Sequence, residues 1–271
     1  MTPDRFRLDG RVAVVTGASG KLGPIWTSAL IEAGAFVFGL DLESAVARPE
    51  VKRIEAAHGP ERFAALVADV TERLSLEMAA SAIVTARGVP SVLVNNAGID
   101  QPPAAGAARL RMDEVPVEVF RSIFEVNTFG AFQATQVFGR EMIKVGYGSV
   151  INIGSLYASV SPDLRFYDHL GGDPPFLKPP AYGASKAALI NLTRYLSTAW
   201  APYGVRVNAL SPGGVAGGQD EEFKRKFCAR VPLARMAEAE DLVGPLQFLA
   251  SDASAYVTGA ELVVDGGFTV W

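Results

Sequence analysis

Runs of consecutive apolar residues alternate with longer stretches of helical periodicity along most of this chain. Arg11–Thr16 (RVAVVT) is apolar at successive positions, the signature of a strand buried on both faces. Ile25–Ala33 continues a helical pattern that stops at Gly34. Ala35–Asp41 (AFVFGLD) reads as a second strand, Ser44–Ala57 as a helix, and Phe63–Val67 as a third strand ending near Asp69. Thr71–Arg87 is predicted helical with Thr71 as its N-cap, and Ser91–Asn95 (SVLVN) is a fourth strand. Pro116–Val145 holds one or two helices, with Pro116 in the first turn. Ser149–Ile153 (SVINI) and Val205–Leu210 (VRVNAL) are the fifth and sixth strands, flanking a long helix over Tyr182–Ala201. Asp241–Ala250 is a further helix and Glu261–Asp265 (ELVVD) a last strand.

Strand and helix in strict alternation predict a parallel sheet with right-handed crossovers. The expected class is α/β: a single doubly wound, Rossmann-type domain over residues 1–271, with a mostly parallel seven-stranded sheet and helices on both faces. Two stretches break the rhythm. Gln101–Arg111 is rich in Ala, Gly and Pro, and Ser161–Pro180 carries Gly171-Gly172 and several prolines. Both follow the carboxyl ends of strands, where ligands bind in open α/β sheets. Substrate loops are therefore expected at about 99–115, 156–181 and 213–230.

Composition narrows the class further. With 271 residues, 49% hydrophobic and 20% charged, the chain has enough apolar material for a substantial core. A formal charge of −4 and the lack of a basic stripe argue against a nucleic-acid surface. The start, MTPDRFRLDGR, is polar, and no apolar run approaches the ~18 residues of a membrane span. A lone cysteine, Cys228, fits a reducing cytoplasm, and His58 and His169 show no metal-ligand spacing. No metal is expected.

Thr16-Gly17-Ala18-Ser19-Gly20-Lys21-Leu22-Gly23 joins the first strand to the first helix. Glycines there permit a tight turn and close approach of backbone N–H groups to a pyrophosphate, and the helix N-terminus adds partial positive charge. Such a turn is weak evidence alone; its place directly after a buried strand gives it weight. Asp41 ends the second strand 18 positions past Gly23 (41 − 23), close to the ~20-residue offset of a carboxylate that holds an adenosine ribose. A carboxylate there repels the extra phosphate of NADP and favours NAD, although Lys21 would partly offset that repulsion. Asp69, ending the third strand, reads equally as a partner of the adenine amino group or as a turn residue. Leu42 and Val70, next to these carboxylates, join the candidate set.

Tyr182 and Lys186 stand i, i+4 at the start of a helix and share one face. A phenol with an ordinary pKa of ~10 shuttles protons poorly at neutral pH, and a nearby ammonium favours its ionised form. Lowering it by ~3 units needs about 4 kcal/mol. Ser155 follows the fifth strand, placed to hydrogen-bond a reacting oxygen, and Asn127 is a polar residue at the centre of a helical region. Asn95-Asn96-Ala97-Gly98 ends the fourth strand, where small residues pack against a ribose. Ser211-Pro212-Gly213-Gly214, followed by Val215, ends the sixth, where irregular backbone meets a nicotinamide.

These motifs resemble those of the short-chain dehydrogenase/reductase family over nearly the whole chain: TGASGKLG, Asp41, Asp69, NNAG, Asn127, Ser155, YGASK from Tyr182, SPGG and the closing VDGG at Val264–Gly267. The resemblance implies a catalytic tetrad of Asn127, Ser155, Tyr182 and Lys186. In it Tyr182 moves the proton, Ser155 holds the substrate oxygen, and Lys186 binds the nicotinamide ribose and lowers the tyrosine pKa. Asn127 anchors a water of the proton relay. It also implies a homodimer or homotetramer, with Asn127–Val145 and Tyr182–Ala201 packed against symmetry mates. Tyr182, Lys186, Pro212, Gly213 and Val215 join Gly17, Ser19, Gly20, Lys21, Leu22, Gly23, Asn96, Ala97 and Gly98 as expected cofactor contacts.

The chain departs from the common pattern at two places. Its glycines follow TGxxGxxG rather than TGxxxGxG, with Lys21 in the place of the middle glycine. Ser155 and Tyr182 are 27 positions apart (182 − 155), about twice the family's usual separation. The extra residues include Tyr157, Asp163, Arg165, Tyr167, Asp168 and His169. Polar and charged, they suggest a hydroxylated substrate and a likeness to bacterial surface-sugar-pathway dehydrogenases. His169 itself reads as an exposed loop residue. The sequence favours an NAD-dependent alcohol, polyol or sugar dehydrogenase. It leaves open an NADPH-dependent reductase of 3-oxoacyl thioesters and a sensor that binds the dinucleotide without turnover.

Overall fold

The computed structural model describes residues 3–46, 48–100 and 109–271. The expected strands all form: β1 (Val12–Thr16), β2 (Phe36–Asp41), β3 (Phe63–Val67), β4 (Val92–Asn95), β5 (Gly148–Ile153), β6 (Val205–Pro212) and β7 (Glu261–Val264). They lie in the order β3-β2-β1-β4-β5-β6-β7, and every neighbouring pair is parallel. The helices are α1 (Gly23–Glu32), α2 (Glu43–Val46), α3 (Pro49–His58), α4 (Arg73–Arg87), α5 (Val117–Phe124), α6 (Ala131–Val145), α7 (Pro180–Trp200), α8 (Glu221–Cys228) and α9 (Glu240–Ala250). This is a single Rossmann-like domain.

The central strands explain their own sequence. Ala13 and Val15 point into a core shared with Trp26 and Leu30 of α1 and Leu242 and Leu246 of α9. Val12 and Val14 point the other way, among Leu76 and Ile83 of α4 and Val137, Phe138 and Met142 of α6. A strand covered on both faces has no polar side to show, hence the unbroken apolar run.

Several local expectations are corrected. The helix expected over Ser44–Ala57 is two helices, α2 and α3, and Arg48 rather than an internal residue caps the second. Thr71 does not cap α4. Asp69 Oδ1 accepts from the Thr71 N–H at 2.9 Å and its hydroxyl at 2.7 Å, and the helix starts two residues later. Pro116 sits at the N-cap of α5, and a wider π-helical turn over Glu125–Gly130 links α5 to α6. Of the expected loop at 99–115, residues 101–108 lie outside the described residues. The expected loop at 213–230 contains α8, which Asp220 opens by accepting from the Phe223 N–H at 2.8 Å.

The insertion between Ser155 and Tyr182 has a core of its own. Phe166 and Tyr167, in a 3-10 turn over Leu164–Leu170, pack on Phe223 and Phe227 of α8 and on Phe268 near the C-terminus. Polar ties reinforce this: Lys226 pairs with Asp168, and His169 lies 2.9 Å from Asp220. His169 is exposed, as the sequence suggests, and its contact with Asp220 ties the insertion to the N-cap of α8.

Trp26 connects this framework to the turns above it. It is fully buried, and its indole N–H donates to Asn96 Oδ1 at 2.8 Å. Trp26→Phe leaves that oxygen without its donor and should cost about 1–3 kcal/mol, while Trp26→Ala, which also opens a cavity, should cost about 3–5 kcal/mol. Equilibrium urea unfolding reads both; a Trp26→Phe variant as stable as the parent would show the bond to be idle.

Candidate active site

The chain reverses its direction of winding between β1 and β4, so the turns leaving these strands part and open a crevice at their carboxyl ends. Its two lips are stitched together. The Thr16 hydroxyl accepts from the N–H groups of Asn96 and Ala97, both at 3.1 Å. The Asn96 amide donates back to the carbonyls of Thr16 and Gly17 at 3.1 and 2.8 Å. Gly17 takes a φ of +65°, and a Cβ there would lie 2.7 Å from Ala97 Cα. No other residue fits that approach. At Gly23, the first residue of α1, a Cβ would lie 2.4 Å from the Gly17 and Ala18 carbonyl oxygens.

A cleft of about 1060 Å³ occupies this position. Most of the sequence-predicted cofactor residues line it: Gly17, Gly20, Lys21, Leu22, Asp41, Leu42, Asp69, Val70, Asn96, Ala97, Gly98, Tyr182, Lys186, Pro212, Gly213 and Val215. Ser19 and Gly23 stand behind the lining. Asp41 faces the glycine turn, where Oδ2 accepts from the Ser19 N–H at 2.9 Å and from the Ser19 hydroxyl. Lys21 reaches across the cleft, donating to the Val215 carbonyl at 2.9 Å, and burial pushes its ammonium pKa down.

The catalytic candidates gather at the other end. Ser155 leaves β5 and shares a hydrogen bond with the Tyr182 phenol, while Ser155 Oγ accepts from the Tyr157 N–H at 3.2 Å. Lys186 is buried at 4% exposure, its ammonium 5.9 Å from the Tyr182 ring centre and donating to the Ile153 carbonyl at 2.7 Å. Ser155, Tyr182 and Lys186 line the cleft; Asn127, fully buried, does not. Asn127 instead clamps the chain leaving β4, accepting from the Ile99 N–H at 2.8 Å and donating to the Ile99 carbonyl at 3.1 Å. It also donates at 3.1 Å to Ser185 Oγ, which donates to the Tyr182 carbonyl at 2.7 Å. A π-helical turn places this amide, in keeping with the frequency of such turns at functional sites.

The electrostatics depart from the sequence expectation. Burial, with Asp100 nearby, pushes Tyr182 up to about 12, and the hydrogen bond with Ser155 only partly opposes this. Burial pushes Lys186 down to about 8. The chain alone therefore keeps the phenol protonated at neutral pH.

Several charged lining residues escaped sequence reasoning. Lys178 and Asp100 form an ion pair at 2.6 Å beside Tyr182, and Arg48 lines the cleft near Asp41. The pair joins positions 78 residues apart, so only the insertion's length hinted at it. Among the described residues no cluster of three or more His, Cys, Asp or Glu side chains is arranged to hold a metal, and no helix is long and apolar enough to cross a membrane.

A half-buried tyrosine with a serine hydroxyl and a buried lysine beside it stands at the mouth of a glycine-lined crevice on a doubly wound sheet. Comparison with known proteins assigns the class. A family model described as enoyl-(acyl carrier protein) reductase matches residues 21–269. Galactitol 2-dehydrogenase (L-tagatose-forming) from Cereibacter sphaeroides is 36% identical, over 98% of this chain and 98% of its own. An NAD-dependent glycerol dehydrogenase from Listeria innocua is 31% identical, over 98% of this chain and 96% of its own. The crystal structure of a gluconate 5-dehydrogenase from Burkholderia cenocepacia, in complex with NADP and tartrate, superposes with a TM-score of 0.84 at 31% identity, covering 99% of this chain and 98% of that one. The chain belongs to the short-chain dehydrogenase/reductase family and is an oxidoreductase acting on CH–OH groups.

Because a Cβ at Gly23 would meet two backbone oxygens, Gly23→Ala must displace the glycine turn. Dinucleotide affinity, read by quenching of tryptophan fluorescence, should fall by at least about tenfold, or 1.4 kcal/mol. Unchanged affinity would mean that the turn is not part of the binding surface.

Proposed function

We propose that this protein oxidises a secondary alcohol of a hydroxylated, sugar- or polyol-like compound, or reduces the matching ketone, with NAD(H) as the redox partner and Tyr182 as the general acid/base. The observation that carries this reading is the hydrogen bond between Ser155 and the phenol of Tyr182 within the cleft, with buried Lys186 one helical turn away. Two neighbouring oxygens, one a hydroxyl that donates and accepts at constant charge and one able to change charge, bracket the place of a reacting hydroxyl.

The glycine cradle fits a dinucleotide. At Gly17 backbone meets backbone so closely that a side chain is excluded, and the N-terminus of α1 opens onto the same space. In this reading Gly17, Ser19, Gly20, Lys21, Leu22 and Gly23 hold the pyrophosphate, Asp41 and Leu42 the adenosine ribose, and Asp69 and Val70 the adenine. Asn96, Ala97, Gly98, Tyr182, Lys186, Pro212, Gly213 and Val215 hold the nicotinamide half. Bound there, the dinucleotide supplies the acceptor or donor of hydride.

The chain's own groups manage the proton. Tyr182, once ionised, takes the hydroxyl proton of the alcohol while Ser155 holds the oxygen; in the reverse direction the neutral phenol gives the proton back. Burial lowers the Lys186 ammonium toward the neutral range, which eases the passage of that proton onward. The positive charge of an oxidised nicotinamide beside the phenol would offset the burial that raises it. Asn127 acts by position, fixing Ile99 and the start of α7. The protein works in the cytoplasm as a homodimer or homotetramer. Exposed Phe129 and Tyr195, beside α6 and on α7, support a contact between copies.

Asp41 supports NAD over NADP, since a second anion beside it is repelled. Arg48, lining the same end of the cleft, favours the opposite choice, because a guanidinium there would accept the 2′-phosphate. Titration of both dinucleotides separates the two. Wild type should bind NADH the more tightly, and Asp41→Asn, which removes the charge and one acceptor oxygen, should cut that preference by about tenfold. Tighter binding of NADPH by wild type would reverse the assignment.

Tyr182→Phe should lower turnover by at least about 100-fold with dinucleotide affinity nearly intact. Since a raised pKa leaves less phenolate at a given pH, kcat/KM for oxidation should climb with pH, roughly tenfold per unit below the effective pKa. Reduction, which uses the neutral phenol, should stay flat over the same range. Stopped assays of reduced nicotinamide absorbance across pH 6–10 read both; oxidation that is fastest on the acid side would exclude Tyr182 as the base.

A further inference from the structure

The insertion between Ser155 and Tyr182 delivers one charged side chain to the reaction centre. Lys178 is only 6% exposed, and its ammonium donates to Asp100 Oδ2 at 2.6 Å. It lies 5.3 Å from the Tyr182 ring centre and 5.6 Å from that of Tyr157. Lys178, Asp100, Tyr157 and Tyr182 all line the cleft. Such burial is expensive for a cation, and a simple anchor for the loop would serve as well with apolar contacts. The insertion already has an aromatic core to hold it down.

We propose that Lys178 and Asp100 together recognise the hydroxyl on the carbon next to the reacting one, so that the preferred substrate is a neutral vicinal diol of the polyol class. The inference rests on the reading of the protein as an alcohol oxidoreductase and specifies its substrate. A hydroxyl both donates and accepts, and a side-by-side ammonium and carboxylate offer it the complementary pair. An ammonium has three protons and a carboxylate about four acceptor positions, so each can hold its partner and a substrate hydroxyl together. The fixed geometry comes from both sides. Asn127 clamps Ile99, the residue before Asp100, and the two tyrosine rings flank the Lys178 ammonium.

Charge argues for a neutral ligand. The charged side chains lining the cleft are Asp41, Asp69, Asp100 and Asp220 against Lys21, Arg48, Lys178 and Lys186. Neither sign is in excess, and Asp220, hydrogen-bonded to His169, adds no cation able to hold a carboxylate. A substrate acid would gain Lys178 only by facing Asp100.

Three matched alcohols test this in the full-length protein with its preferred dinucleotide: 2,3-butanediol, 2-butanol, and 2,3-dihydroxybutanoate. Wild type should favour the diol over 2-butanol by about 100-fold in kcat/KM, because a site built to bond a hydroxyl rejects the analogue that lacks it. In Lys178→Met that ratio should fall to within about threefold of unity, chiefly through the diol's KM. Lys178→Arg keeps the ion pair and the fold but moves the donors. It should raise the diol's KM by about tenfold, and it carries the test if the Met variant does not fold. Equal loss of both alcohols in the variants, an unchanged ratio, or a preference for the carboxylate would overturn the proposal. Turnover of no alcohol at all would instead overturn the functional reading, and this inference with it.

Discussion

The site depends on how closely two backbone turns approach where the sheet reverses its winding. Thr16, Gly17, Asn96 and Ala97 lock these turns together with four hydrogen bonds, and the absence of a side chain at Gly17 permits the contact. Trp26 braces the arrangement from the core beneath. The lock fixes where the first helix begins and where β4 releases the chain, and so sets the distance between the glycine turn and everything that follows Gly98. A polar network of this kind tolerates little partial loss, since each buried group would otherwise stand unpaired.

From Gly98 onward the constraint is carried by Asn127. Its amide is saturated by Ile99 and Ser185, so it ties the β4 exit to the α7 segment that bears Tyr182 and Lys186. Desolvation then sets the chemistry. It raises the phenol and lowers the ammonium, moving the two pKa values to about 12 and about 8 and so leaving the proton on the tyrosine. The protein builds a resting acid. With Tyr182 as the proposed acid/base, oxidation of an alcohol calls for further positive charge beside the phenol, while reduction of a ketone does not.

The strands were legible because burial on both faces suppresses polar residues, and that pattern survives without any knowledge of tertiary structure. The gathering of Ser155, Tyr182 and Lys186 in the cleft was legible through motifs that sit at a strand end or on one helix face. Local competition was harder to read. Asp69 captures Thr71 before Thr71 can cap α4, and α8 was lost among glycines although Asp220 and the i, i+4 pair Phe223 and Phe227 signalled it. The contact of exposed His169 with Asp220 was hidden because the two lie 51 positions apart (220 − 169). Lys178, Asp100 and Arg48 carry no motif. Their meaning comes from pairings and walls that only the folded chain creates.

The extended Ser–Tyr spacing follows from the same logic. A short connection would bring the chain directly from β5 into α7 and leave the far wall of the cleft to solvent. The longer one turns back over α8 and the C-terminal segment, buries Phe166 against three aromatic rings, and returns to α7 through Lys178. The wall it builds joins three otherwise separate parts of the chain, so its position depends on their mutual packing. A charge placed on such a wall keeps its distance from Tyr182 without any contact along α7 itself. An insertion outside the family's shared motifs thereby places a charge beside Tyr182, a residue that lies within them.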